Sequence, residues 1–263
     1  MEGKLIMNLK EERPPIKTRI KRTIRKEAYY GCAICGNPII EYHHIEPYHK
    51  VLCHEEANLI ALCPTDHNKA DIGMIPKEQL YALKKKPFNS LPENQDIRDK
   101  MFFGNYDNLE FKAGGSSFIR TSNLFVIDDL PLISVKRDKL NNAVINAKFF
   151  NKSSNLLAEI HENEWITYFE EEEIWDIQYT GGKLKINSGK RTIFLELDIK
   201  PESNYVEVRA NLYHKGFYFN IKPSGIIYGF NLFEKPKSVN GGSISNSTFI
   251  DCGNGIVLSS SNL

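Results

Sequence analysis

The stretch Cys32–Asp71, CAICGNPIIEYHHIEPYHKVLCHEEANLIALCPTDHNKAD, decides how this 263-residue chain is read. It holds four of the five cysteines and five of the seven histidines. Thiolates and imidazoles crowded this densely point to metal ligation rather than packing. Cys32 and Cys35 form a CxxC pair with Gly31 and Gly36 on either side. Glycine there lets the backbone turn tightly enough for both sulfurs to face one ion. A short strand from Ile39 to His44 follows, then a loop carrying Pro47, Cys53 and His54. Asn58 to Cys63 (NLIALC) can pair back as a return strand. Pro64-Thr65-Asp66 reads as a helix start, with Thr65 or Asp66 as N-cap. The local order is strand, loop, strand, helix.

His43 and His44 are neighbours on a strand, so their side chains point to opposite faces and should have different jobs. His67 and Asp71 lie four residues apart and share one helix face. One of the strand histidines can join them in a His/His/Asp set that leaves positions open on an ion, as catalysis requires. The other, beside the ion but not bound to it, is suited to taking a proton from water. Asn58, across the hairpin, could hold that imidazole. Such a site suits phosphodiester hydrolysis assisted by Mg, Mn, Ni or Zn. Cys32, Cys35 and Cys63 then make a separate, structural zinc site. Its fourth ligand is Asp66, three residues after Cys63, or else Cys53 or His54 if the loop folds back, the remaining alternative being a degenerate, empty site; a carboxylate is uncommon in that role.

The order Tyr42-His43-His44-Ile45, then Asn58-Leu59, then Cys63-x-x-Asp66-His67 resembles the HNH endonuclease family, the ββα-metal nucleases. The flanking CxxC and CPxD pairs resemble its zinc-knuckle branch. The resemblance implies His43 and His67 as metal ligands, with Asp71 where many members have a third. It implies His44 as general base, Asn58 as the residue orienting it, and double-stranded DNA as substrate. The competing reading is a non-catalytic zinc-binding module for nucleic-acid recognition. His44 separates the two, because a binding module has no use for an unligated histidine beside a metal.

Outward from the stretch, charge is uneven although the net formal charge is only +1. Lys17 to Lys26 contains six basic residues and no acidic one, whereas Glu159 to Asp176 contains eight acidic residues and no lysine or arginine. Ile16, Ile20, Ile24 and Ala28 recur every four residues, which predicts a helix with one apolar stripe. Its basic faces make Arg22, Arg25 and Lys26, together with Lys69, the expected phosphate contacts. A further helix is expected over Pro76–Lys86, and PFNSLPENQDIRDK after it reads as a linker.

Beyond residue 100 apolar and polar residues alternate, as in Ile193, Leu195, Leu197, Ile199 and Val206, Val208, Ala210, Leu212. Turn signals such as Ser203-Asn204 and Lys215-Gly216 punctuate them, predicting an antiparallel sandwich or barrel-like domain with eight to ten strands between Phe118 and Phe233. The expected fold class is α+β: an HNH module over residues 1–86, a linker over 87–115, a β-sandwich-like domain over 116–233 and a Gly/Ser/Asn-rich β tail over 234–263. Trp165, Trp175, Tyr179, Phe217, Tyr218 and Phe219 read as sheet core in preference to a base-stacking surface. The β domain is expected to select the target, to hold a protein partner or to self-associate. No run of 18 apolar residues exists, so no membrane partner is expected. Cysteines clustered for metal fit a reducing, cytoplasmic compartment. Restriction or defence against foreign DNA is the expected setting.

Overall fold

Helix α1 (Thr18–Glu27) forms along the predicted stripe: Ile20 and Ile24 are buried, and Ala28 continues the row just past its end. In the computed structural model, which describes residues 13–91, 97–168, 174–180, 182–230 and 239–260, this stripe packs on Leu59 and Ala61. Those two residues belong to β2 (Leu59–Leu62), which pairs antiparallel with β1 (Glu41–His44) so that His43 faces Ile60 and His44 faces Leu59. The other side of β2, Ile60 and Leu62, packs with Ile45, Ala70 and Leu80 in a second cluster. The continuous apolar run is thus explained: β2 is buried on both faces, and each such aliphatic side chain contributes about 1.5–3 kcal/mol.

A one-turn helix, α2 (Tyr48–Val51), lies in the loop between the strands, and α3 (Pro64–Asp71) follows β2 directly. The N-cap of α3 is Cys63, not Thr65 or Asp66. Pro64 takes the first helical position, and the Asp66 carboxylate is turned onto the cysteine sulfurs instead of the helix end. Helix α4 (Lys77–Lys85) buries Leu80.

The rest of the described chain is mostly β. A seven-stranded sheet runs in the order β19 (Asn254–Leu258), β6 (Asn123–Ile127), β7 (Leu130–Arg137), β8 (Ala143–Phe150), β9 (Leu156–His161), β10 (Glu164–Thr167), β3 (Ile97–Lys100). The larger sheet runs β11 (Asp176–Thr180), β12 (Lys183–Gly189), β13 (Thr192–Lys200), β14 (Tyr205–His214), β15 (Phe217–Lys222), β16 (Gly225–Phe230), β17 (Val239–Ile244). From β14 it branches through β4 (Glu110–Ala113) and β5 (Ser116–Ile119) to β18 (Thr248–Ile250). Both sheets share one core, and Phe125 of β6 meets Phe219 of β15 with ring centroids 5.1 Å apart. Trp165, Phe217 and Phe219 are buried in it, as their alternation predicts.

Three features differ from the sequence reading. Residues 87–115 are not merely a linker: β3 closes one sheet, β4 joins the other, and a 3-10 turn at Phe88–Ser90 packs on the cysteine knuckle. Among the described residues, eleven strands, β6 to β16, fall within the span where eight to ten were expected. The surplus includes hairpins whose turns, Asp128-Asp129 and Glu162-Asn163, hold two consecutive positive φ angles without glycine. Finally, β4 on β14, β18 on β5 and β19 on β6 are parallel pairings in a domain expected to be antiparallel. The last two arise because the C-terminal stretch returns to strands about 130 residues earlier, the long crossover that parallel pairing demands. Phe249 of β18 stacks on Phe118 at 4.6 Å, which gives the tail the apolar face it cannot bury alone. Among the described residues no helix is long and apolar enough to cross a membrane.

Candidate metal centres and catalytic site

The glycines flanking the CxxC make room for Asn89. A Cβ at Gly31 would lie 2.5 Å from Asn89 Nδ2, and one at Gly36, where φ is +76°, 2.5 Å from Asn89 Oδ1. Asn89 is buried and donates to the Tyr29 carbonyl at 3.2 Å, while the Phe88 N–H donates to the Ala33 carbonyl at 3.0 Å. The segment just after α4 therefore closes the knuckle.

Cys32, Cys35, Cys63 and Asp66 each offer one donor atom, all within 4.8 Å of one another. The Cys35 and Cys63 sulfurs are 3.8 Å apart, and Asp66 Oδ2 lies 3.4 Å from the sulfurs of both Cys32 and Cys63. Tetrahedral zinc with Zn–S bonds of about 2.3 Å sets ligand–ligand edges of roughly 3.5–3.8 Å, so these four atoms fit one zinc ion. Cys53 and His54, the alternative fourth ligands, are not in the set. Asp66 Oδ1 accepts a 2.7 Å bond from Lys69 Nζ. Burial raises the Asp66 carboxyl, but hydrogen bonds from Lys69 and the three thiols outweigh it and leave the group below its ordinary value. Burial pushes the Cys32 and Cys35 thiols up. A cation in the pocket reverses that preference, because a coordinating thiol is deprotonated.

A second donor set, His43, His67 and Asp71, also has its atoms within 4.8 Å of one another. His43 Nδ1 is 3.2 Å from Asp71 Oδ1, and His67 Nδ1 is 3.0 Å from Asp71 Oδ2. Burial, then the neighbouring His67, lowers the His43 pKa against the opposing pull of Asp71. The neutral imidazole is the form that binds metal. Three protein donors leave coordination positions free, so this set fits an open site. Sequence reasoning missed Glu41, whose Oε2 lies 3.6 Å from His67 Nδ1. It stands two residues before His43 on the same strand face, and that spacing was the available signal.

His44 points the other way, as the strand requires. Arg13 Nη2 donates to His44 Nδ1 at 2.7 Å, and His44 Nε2 lies 3.0 Å from His54 Nδ1. Burial, then Arg13, His54 and His43, lowers the His44 pKa to about 4, while a hydrogen bond to the Cys53 backbone pulls the other way. The ring is therefore neutral near pH 7. His43, His44, His67 and Asp71 line one cleft of about 710 Å³, together with Arg13 and Tyr48.

Asn58 does not hold the His44 ring. Its Oδ1 accepts from the Glu46 N–H at 2.6 Å and its Nδ2 donates to the Glu46 carbonyl at 2.9 Å. Register is the reason: Leu59 faces His44, so Asn58 falls beside Ile45, whose N–H donates to the Asn58 carbonyl at 2.9 Å. Asn58 pins the chain two residues past His44.

Most of the expected phosphate contacts have other partners. Arg25 is 6% exposed and grips Asp176 with two bonds, 3.0 Å from Nε and 2.7 Å from Nη2. It also donates to the Tyr42 hydroxyl. Arg22 lies 3.7 Å above the Trp175 ring and donates to the Trp175 carbonyl at 3.1 Å. They lie three residues apart on α1, on a side that packs against β11, so both serve that contact. Lys69 is bonded to Asp66, and Lys26 is exposed. The acidic run Glu170–Glu173 lies outside the described residues.

Two clustered donor sets, each able to hold a metal ion, thus lie in and beside one strand–strand–helix unit. Within the chain, residues 32–71 match the family model described as HNH endonuclease. No curated protein and no solved structure matches the chain.

Proposed function

We propose that the protein is a metal-dependent endonuclease that hydrolyses DNA phosphodiester bonds. The reading rests on His44: a neutral imidazole, adjacent in sequence to a ligand candidate but on the opposite strand face, opening into the same cleft. His43, His67 and Asp71 would hold a divalent ion, Mg, Mn, Ni or Zn, and Cys32, Cys35, Cys63 and Asp66 a structural zinc. When bound, the ion in the open set supplies positive charge beside the scissile phosphate and its leaving oxygen. His44 takes a proton from the attacking water. Arg13, within bonding distance of His44, has the planar fork that suits a phosphate entering there. Lys26 is left as an outer phosphate contact. Such contacts read little sequence, so target choice falls to the β domain or a partner.

The test is nicking of supercoiled plasmid by purified protein across the four divalent ions, with EDTA as the stop. His44→Ala is expected to slow cutting by about 10²–10⁴-fold with metal content and Tm unchanged. Equal cutting by the mutant removes His44 from the chemistry. No cutting by the parent with any ion leaves the binding-module reading in its place.

A further inference from the structure

The larger sheet turns one face to the core and the other outward, and helix α1 sits against the outward one. Gln178, Lys185, Glu196 and Arg209 stand opposite one another across β11 to β14, so all four share that face. Asp176, two residues before Gln178, shares it too, and Arg25 of α1 grips Asp176 there. With strands about 4.8 Å apart, β14 lies roughly 14 Å from β11 across the sheet. Two cavities open near β14, of about 470 Å³ and about 360 Å³, and Thr192, Asn211 and Tyr213 wall both. They therefore adjoin as one groove. Asn211 and Tyr213 follow Arg209 at two-residue spacing on β14, and Asn211 faces Asn220 of β15. The groove thus crosses the same outward face on which α1 packs.

Its lining is basic. Arg191, Arg209 and Lys222 line the larger cavity and Lys152 the smaller, whereas no carboxylate lines either. Lys152 reaches in from the β8–β9 turn, with Nζ 6.0 Å from the centroid of the Tyr213 ring. The acidic side chains on this face are matched by cations of their own. Lys183 lies 3.0 Å from Glu196, Lys200 3.0 Å from Asp198, and Arg209 3.0 Å from Glu207. Lys152, Arg191 and Lys222 are exposed, and no ion pair engages them among the described residues. A groove of unmatched cations, amides and hydroxyls is complementary to a polyanion.

We propose that this groove is a second DNA contact, holding the sugar–phosphate backbone of the duplex bound at the metal cleft. Its partner rests on the nuclease reading, to which it adds the path of the duplex beyond the cleft. Lys152, Arg191 and Lys222 take up the electrostatic task that the sequence suggests for Arg22 and Arg25, whose side chains are committed to Trp175 and Asp176. Contacts of this kind add affinity and fix orientation without reading bases.

The test is binding of a fluorescent duplex by full-length protein without added divalent ion, followed by anisotropy across a KCl series. The triple variant Lys152→Ala, Arg191→Ala, Lys222→Ala should keep its Tm and lose about 10–100-fold in affinity at about 150 mM KCl. Its slope of log Kd against log[KCl] should shrink by about 1 per lost cation, equally for duplexes of different sequence. The charge-keeping variant Lys152→Arg, Arg191→Lys, Lys222→Arg should bind as the parent does. Lys136→Ala with Lys139→Ala, exposed lysines of the smaller sheet and its following turn, should leave affinity and slope nearly unchanged. Parental Kd and slope in the groove variant overturn the proposal, and so does an equal loss per charge in the control pair. A parent that binds duplex through the groove but cuts DNA with no divalent ion counts against the nuclease reading alone.

Discussion

Asp66 departs most from what its position in a zinc knuckle favours, and its surroundings suit it to a ligand's place there. Lys69 takes one carboxylate oxygen and leaves the other to the sulfurs, which lowers the charge the pocket must accommodate. Asp66→Cys should therefore bind zinc at least as tightly as the parent and raise Tm. Asp66→Ala should lose one zinc per chain and unfold at lower temperature. Elemental analysis with thermal denaturation checks both, and an Ala variant that keeps its zinc would remove Asp66 from the ligand set. The clustering of Cys32, Cys35, Cys63 and Asp66 was legible in the sequence because it follows from side-chain type and local spacing. Glu41 was passed over because a two-residue spacing on a strand is a weak signal, and His54, read as an alternative zinc ligand, reaches His44 instead once the loop has folded back.

At the scale of the element, β1 is short, four residues, yet it presents His43 and His44 to different neighbours. Its end is set by the Asn58 carboxamide, which satisfies both the N–H and the carbonyl of Glu46. Asn58→Ala should cost about 1–3 kcal/mol, two hydrogen bonds at roughly 0.5–1.5 each. Asn58→Asp, which retains the acceptor alone, should fall between. Urea denaturation at neutral pH measures this, and parental stability in the Ala variant would show that water replaces the contact. The same hairpin marks the limit of pattern reading. Alternation told that the two histidines diverge, but the one-residue offset separating Asn58 from His44 is a matter of register, fixed by which residues β2 buries on α1 and α4.

Across the whole molecule, the basic helix joins the module to the β domain. Arg25 and Asp176 are both buried, and their pairing continues through Tyr42 into the strand that carries the histidines. Removing one partner of a buried pair strands the other's charge, so Arg25→Met should destabilise by about 3–5 kcal/mol. Adding Asp176→Leu to Arg25→Met should recover part of the loss, measured by chemical denaturation. A single mutant as stable as the parent would show that this contact does not hold the two parts together. By itself the sequence determined the clustering of the knuckle residues, the divergence of His43 and His44, the β-rich second part and the apolar stripe of α1, since each follows from local spacing and side-chain chemistry. Only the tertiary structure decided that Arg22 and Arg25 face Trp175 and Asp176, that β18 and β19 return to β5 and β6, and that Asn89 seals the Cys32–Cys35 turn. These contacts join residues as much as 153 positions apart. Charge and periodicity say what a helix face can bind, but which partner reaches it depends on how the chain closes on itself.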